Sequence, residues 1–123
     1  MDDAPALRII RTGTTLTRLG LLGLFGVYIL ALGYTPMEIR QGLAQKIFYV
    51  HVPSAWSALL AFSLVGIVSI LYLWLRDERL DRFAVSSAEV GLVFSVVMLT
   101  TGPIWGKPVW GTWWTWAARL TLT

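Results

Sequence analysis

From Ile47 to Leu75 the chain runs without a single Asp, Glu, Lys or Arg. A stretch of that kind cannot cover a water-facing surface, and about 20 apolar residues suffice to cross a bilayer as a helix. Two further runs have the same character. Leu19–Met37 holds no charged residue, and Phe83–Gly106 holds one ionisable residue, Glu89. Backbone groups in lipid must be satisfied within their own segment, which leaves the helix as the solution for such runs. The sequence therefore predicts an all-α integral membrane protein with three transmembrane helices, forming one membrane domain over residues 1–123. The expected spans are 19–34, 53–75 and 83–101. Pro53 suits the first turn of the second span, where a missing N–H costs nothing, and Gly102-Pro103 is expected to close the third.

Composition supports this reading and excludes several others. Charged residues make up 14% of the chain and mean hydropathy is +0.67, against roughly 25% charged in soluble domains. The net charge of +3 comes from ten basic residues spread over four segments. A nucleic-acid face would need them on one surface, so no nucleic-acid partner is expected. The absence of cysteine excludes disulfides, thiolate catalysis, thioether attachment of a cofactor and Cys-based metal sites. One histidine excludes a multi-histidine site within a single copy. No nucleophile–base pair, P-loop, dinucleotide fingerprint or paired-carboxylate site is present. The basic leader Met1–Arg18 carries Asp2, Asp3 and Pro5, and no Ala-x-Ala pattern follows it, so the first run reads as a retained helix rather than a signal peptide.

Charge around the runs sets the expected topology. Arg8, Arg11 and Arg18 precede the first, and Arg76, Arg79 and Arg82 lie between the second and third. The other side holds Arg40, Lys46, Lys107 and Arg119. Basic residues mark the cytoplasmic side, which places the N-terminus in the cytoplasm and both Ile39–Val52 and the segment 105–119 outside. Arg76-Asp77-Glu78-Arg79-Leu80-Asp81-Arg82 reads as a solvated cytoplasmic turn.

The outer segment is unusual. Five of the seven tryptophans, Trp105, Trp110, Trp113, Trp114 and Trp116, fall in it, interrupted by Gly106, Pro108 and Gly111. Trp rings favour membrane interfaces, and a belt accounts for Trp105 and Trp116. It accounts less well for the adjacent Trp113 and Trp114; a platform for a flat ligand, or a protein interface, is the other reading. His51, on the same side, is either an axial ligand for haem iron or an interfacial imidazole bonded to a backbone carbonyl. Lys107 and Arg119 bracket the cluster, as partners for ligand carboxylates, as contacts to lipid headgroups, or as solvated charges. Glu89, near the cytoplasmic end of its span, is expected to reach Arg82 or headgroups, and Gly20, Gly23 and Gly26 form a small-residue packing stripe.

Trp110-Gly111-Thr112-Trp113-Trp114-Thr115-Trp116, followed by Ala118-Arg119-Leu120-Thr121, resembles the tryptophan-rich WWD signature of haem-handling proteins in cytochrome c maturation, and most closely the CcmC-type haem exporters. Trp105-Gly106-Lys107-Pro108 and Tyr49-Val50-His51-Val52-Pro53-Ser54-Ala55-Trp56 fit the same type, so the resemblance covers most of Lys46–Thr121. It implies haem b, held noncovalently at the outer face of the bacterial inner membrane between the Trp segment and two axial histidines. It implies as partners the haem chaperone of the pathway and ATP-binding-cassette subunits that assist release. His51 matches the first axial ligand, and Trp110, Trp113, Trp114 and Trp116 the platform, with Lys107 or Arg119 assisting the propionates. Such a protein makes no bond of the apocytochrome and is a transfer component rather than an enzyme.

This sequence departs from the family pattern at two points. Position 117, where the signature carries an acid, is Ala117, and the six spans and second histidine of the family are here three spans and one histidine. Arg119–Thr123 reads as the start of another element, so the expectation is the N-terminal half of a truncated six-helix fold. The alternatives are a haem-lyase sibling of the same superfamily, a membrane scaffold whose Trp surface docks a protein without haem, and an inactive remnant.

Overall fold

The structure, a computed structural model, describes residues 4–122. Its regular elements are α1 (Ala4–Gly33), α2 (Ala44–Leu75), α3 (Glu78–Trp110) and the short α4 (Ala118–Thr121). The first three are each long and apolar enough to cross a membrane. At 1.5 Å per residue the 32-residue α2 is roughly 48 Å long, against a hydrocarbon core of about 30 Å. The helices thus run past any apolar slab, and their ends can carry polar work at its edge.

The chain divides into two compact units between Pro36 and Met37. In the first, α1 starts well upstream of the expected span at Leu19. The hydroxyls of Thr14, Thr15 and Thr17 donate to the carbonyls of Ile10, Arg11 and Gly13, at 2.9, 2.9 and 3.0 Å. Bonding back to the preceding turn keeps three polar side chains compatible with continuous helix. At the far end the Tyr34 N–H reaches the Leu30 carbonyl at 2.9 Å, the Thr35 hydroxyl donates to the Ala31 carbonyl, and Pro36 follows.

The second unit is an antiparallel hairpin of α2 and α3. It is preceded by a tight turn in which the Glu38 carboxylate accepts the N–H groups of Arg40 and Gln41, at 2.9 and 2.7 Å. Gly42, at φ +55°, closes that turn with its N–H on the Glu38 carbonyl. At the other end Arg76 takes the left-handed conformation that ends α2, and Asp77 caps α3 by accepting the Arg79 N–H at 2.9 Å. Small side chains line the contact. Ser54, Ala58, Ala61 and Val68 are buried on α2, four, three and seven residues apart, and Gly91 is buried on α3. A Cβ at Gly91 would lie 3.2 Å from the Ala61 Cβ and 3.2 Å from the Phe62 ring. Close approach of this kind is how membrane helices associate when lipid removes the hydrophobic drive between them.

Two further expected boundaries differ. Pro53 is inside α2 rather than in its first turn, and α3 passes through Gly102-Pro103 and Pro108 to Trp110. Proline has no N–H for the carbonyl four residues back, but membrane helices accept it where side chains and neighbouring helices serve the backbone. Pro53 leaves the Tyr49 carbonyl and Pro103 the Leu99 carbonyl without that donor; beside the first, Ser54, 1% exposed, donates to the Val50 carbonyl at 2.7 Å. The hydroxyls of Thr100 and Thr101 bond the carbonyls of Val96 and Val97 just before Pro103. His51 and the first part of the Trp segment therefore ride on helices, not loops.

Candidate functional site

Where the hairpin is open, at the end away from the Arg76–Asp77 connection, α2, α3 and the segment after α3 enclose a half-open cavity of about 380 Å³. From α2 come Phe48, His51, Val52 and Ala55, spaced so that all fall on one helix face. From α3 come Met98, Leu99, Gly102, Pro103, Trp105 and Trp110, and beyond it Trp113, Trp114 and Leu120. His51 is the one ionisable side chain among these lining residues.

His51 is half-buried, and its Nδ1 lies 3.0 Å from the Thr101 hydroxyl oxygen on α3. That hydroxyl donates to the Val97 carbonyl at 2.7 Å. The edge of the imidazole also rests on α3 at Gly102, where a Cβ would stand 3.2 Å from His51 Cε1.

The tryptophans are held in stages. Trp105 donates its indole N–H to the Gln41 side-chain carbonyl at 3.3 Å, which ties the turn before α2 to α3. Trp110 folds back over Gly106, whose missing Cβ leaves room 3.3 Å from the indole, and meets Trp105 edge to face at 5.1 Å. Gly111 then takes φ +79°, with its N–H on the Lys107 carbonyl, and turns the chain out of the helix. The Lys107 ammonium bonds the Gly111 carbonyl at 2.9 Å and stands 5.8 Å over the Trp113 ring. A cation placed on the last carbonyls of a helix and on an aromatic face gains from both. Past the turn, Trp114 and Trp116 pack edge to face at 6.3 Å, and α4 brings Leu120 back to the cavity.

The family model described as "CcmC: Heme exporter protein C" matches residues 7–123. Among curated proteins, the heme exporter protein C of Escherichia coli strain K12 is 41% identical over 96 residues, covering 76% of this chain and 38% of that one. Its namesake in Bradyrhizobium diazoefficiens is 40% identical over 96 residues, covering 78% and 36%. That of Haemophilus influenzae is 38% identical over 101 residues, covering 81% and 41%.

The chain belongs to the heme exporter protein C family.

It spans about two-fifths of the length of the curated relatives it matches. As in the resemblance drawn from its motifs, it is a multi-pass membrane protein of the CcmC type. The site residues expected of a CcmC chain separate into groups. His51, Trp110, Trp113 and Trp114 converge on one cavity from separate parts of the sequence. Trp116 does not line it and is 84% exposed, while Lys107 is engaged with the turn at Gly111. The Arg119 side chain lies outside the described residues. Ala117 occupies the N-cap of α4 in extended conformation with no side-chain acceptor. An acid at this CcmC signature position would supply the cap that alanine lacks.

Sequence reasoning missed Thr101, Gly102, Gln41 and the apolar wall of Phe48, Val52, Met98 and Leu99. The wall was accessible from helical spacing once His51 was set on a helix. The other three had no local signal, because their partners lie 50 or more residues away.

Proposed function

We infer that this chain binds haem b noncovalently at the open end of the α2–α3 hairpin and presents it for transfer in cytochrome c maturation. One observation carries the reading: a single apolar cavity joins the chain's sole histidine to Trp110, Trp113 and Trp114. Iron takes an imidazole nitrogen, and a flat macrocycle takes aromatic faces and apolar walls. The cavity falls within the roughly 300–1,000 Å³ of small-molecule sites. Its half-open form suits a cargo that must leave. His51 would hold the iron through an imidazole nitrogen. Arg119 is assigned to the propionates and Lys107 to holding the turn that presents Trp113.

In this reading the role is transfer without covalent chemistry rather than catalysis, in keeping with the heme exporter protein C relatives. The exposed Trp116 and Trp113 offer a surface to the haem chaperone of the pathway, with the ATP-binding-cassette subunits acting on the loaded complex. The setting is the bacterial inner membrane, N-terminus in the cytoplasm and Trp segment outside, in line with the basic residues at the Arg76–Arg82 turn.

Haem titration followed by visible absorption on the purified chain, beside His51→Ala, tests this. The expected result is a saturable Soret band in the parent, and a band in the variant that is shifted and at least about tenfold weaker in affinity, or about 1.4 kcal/mol. Equal binding in both would move the affinity to the Trp surface and remove His51 as ligand. No band in either would leave the Trp surface as a protein-docking face.

A further inference from the structure

Thr101 and Gly102 lie side by side on α3, and both meet the ring of His51. The Thr101 hydroxyl oxygen is 2.7 Å from the Val97 carbonyl oxygen and 3.3 Å from that of Met98. Two oxygens 2.7 Å apart repel unless a proton lies between them, and O–H···O bonds cluster at about this separation. A threonine hydroxyl has one proton to give. Once it is committed to Val97, the hydroxyl presents a lone pair to His51 at 3.0 Å. The hydrogen of that contact must then come from the imidazole, which donates from Nδ1. The network therefore selects the Nδ1–H tautomer and leaves the ring's lone pair on Nε2.

Gly102 completes the seat. His51 Cε1, the carbon between the two nitrogens, sits 3.2 Å from where a Cβ would be. A side chain there would press the ring edge away from α3 by a few tenths of an ångström, and Nδ1 with it from Thr101. The bond to Thr101 fixes the direction of Nδ1, and the glycine fixes how deep the ring sits. Together they turn Nε2 away from Thr101.

We propose that Thr101 is a positioning residue for His51: by accepting the Nδ1–H it locks the tautomer and ring orientation in which Nε2 alone is offered to haem iron. The proposal rests on the haem-binding reading above and adds to it the atom that ligates and the residue that prepares it. Metal-binding histidines commonly have their second nitrogen held in this way, and loss of the holder costs about 10- to 100-fold in metal affinity.

Because the chain has one histidine, nitrogen-15 labelling of histidine reports this ring alone, and without haem. The full chain in detergent micelles, at a pH where the ring is neutral, is compared with Thr101→Val and Thr101→Ser. The parent is expected to show a protonated, pyrrole-type Nδ1 and a bare, pyridine-type Nε2. Thr101→Val, similar in shape, should give a mixture of tautomers and roughly 10- to 100-fold weaker haem binding. Thr101→Ser should restore both. The proposal is overturned if the parent ring carries its hydrogen on Nε2. It is equally overturned if Thr101→Val leaves both tautomer and affinity at parent values, or if Thr101→Ser behaves like Thr101→Val. Should the tautomer follow Thr101 while no chain binds haem, the seat stands and the haem reading falls. Should haem depend on His51 but not on Thr101, the reverse holds.

Discussion

Ala117 shows how one side chain can matter without touching the cavity. It sits at φ −70°, ψ 144°, the extended geometry of an N-cap, and its carbonyl already takes the N–H groups of Leu120 and Thr121 at 2.9 and 3.1 Å. What it lacks is a side-chain oxygen for the first-turn amides. In a helix of four residues that omission is proportionally large, because there is little propagation to offset the cost of nucleation. Ala117→Asp should cap α4 and stabilise it by about 1 kcal/mol, slowing hydrogen exchange of the α4 amides roughly fivefold in the haem-free chain. Leu120, which α4 returns to the cavity wall, would be held more firmly, and haem affinity should rise by up to the same factor. Unchanged exchange would mean that residue 117 does not cap α4. The sequence singled out His51 and the run of indoles, of which the fold brings His51, Trp105, Trp110, Trp113 and Trp114 to one cavity. Residue type left an interfacial imidazole and a Trp belt open beside a ligand site, and the resemblance of the motifs was needed to point to haem. Thr101 and Gly102 were not legible, since threonine and glycine are ordinary in an apolar helix and acquire meaning only from His51 opposite.

Among elements, the hairpin is the unit that makes the site, and its register is set by small residues. Gly91 faces Ala61, and further along Gly102 faces His51, so α2 and α3 stay close over the whole distance between those contacts. Any change that pries the helices apart at Gly91 would open the cavity beyond it. Gly91→Leu should therefore destabilise the hairpin by about 1–3 kcal/mol through overpacking, with lowered haem affinity, although Gly91 does not touch the cavity. Gly66→Ala is the matched control: its Cβ would meet nothing within 4 Å, and alanine is favoured over glycine in helices by up to about 1 kcal/mol. Denaturant titration in micelles, read by helical circular dichroism, checks both; a Gly91→Leu chain as stable as the parent would remove the seam from the account. The three long helices were readable from apolar runs holding at most one ionisable residue, but their ends were not. Proline rules drawn from soluble helices put boundaries at Pro53 and Pro103, whereas α2 and α3 run on through both.

For the whole molecule, the question is which face of the membrane the cavity serves. An antiparallel hairpin gives its two ends opposite addresses. His51, Trp105, Trp110, Trp113 and Trp114 are at one end, and Arg76, Arg79 and Arg82 cluster at the other. Arginines within a short connection between spans resist translocation, while acids count for little. The connection should therefore stay in the cytoplasm and the cavity should face outward. Delivery to a partner on the outer side requires that orientation. Because the chain has no cysteine, single cysteines report it directly. Ile39 is fully exposed in the turn before α2, at the cavity end, and the Glu78 side chain is 88% exposed at the start of α3. Its ion pair with Arg82, 3.7 Å apart at the surface, contributes little, so Glu78→Cys leaves the arginines that set the topology in place. In intact spheroplasts a membrane-impermeant maleimide should label Ile39→Cys at once and Glu78→Cys only after permeabilisation. The opposite pattern would put the cavity in the cytoplasm. His51 and the Trp surface would then be a site for haem on the side where it is made, and presentation to an outer-face chaperone would have to be given up even if haem binding itself were intact.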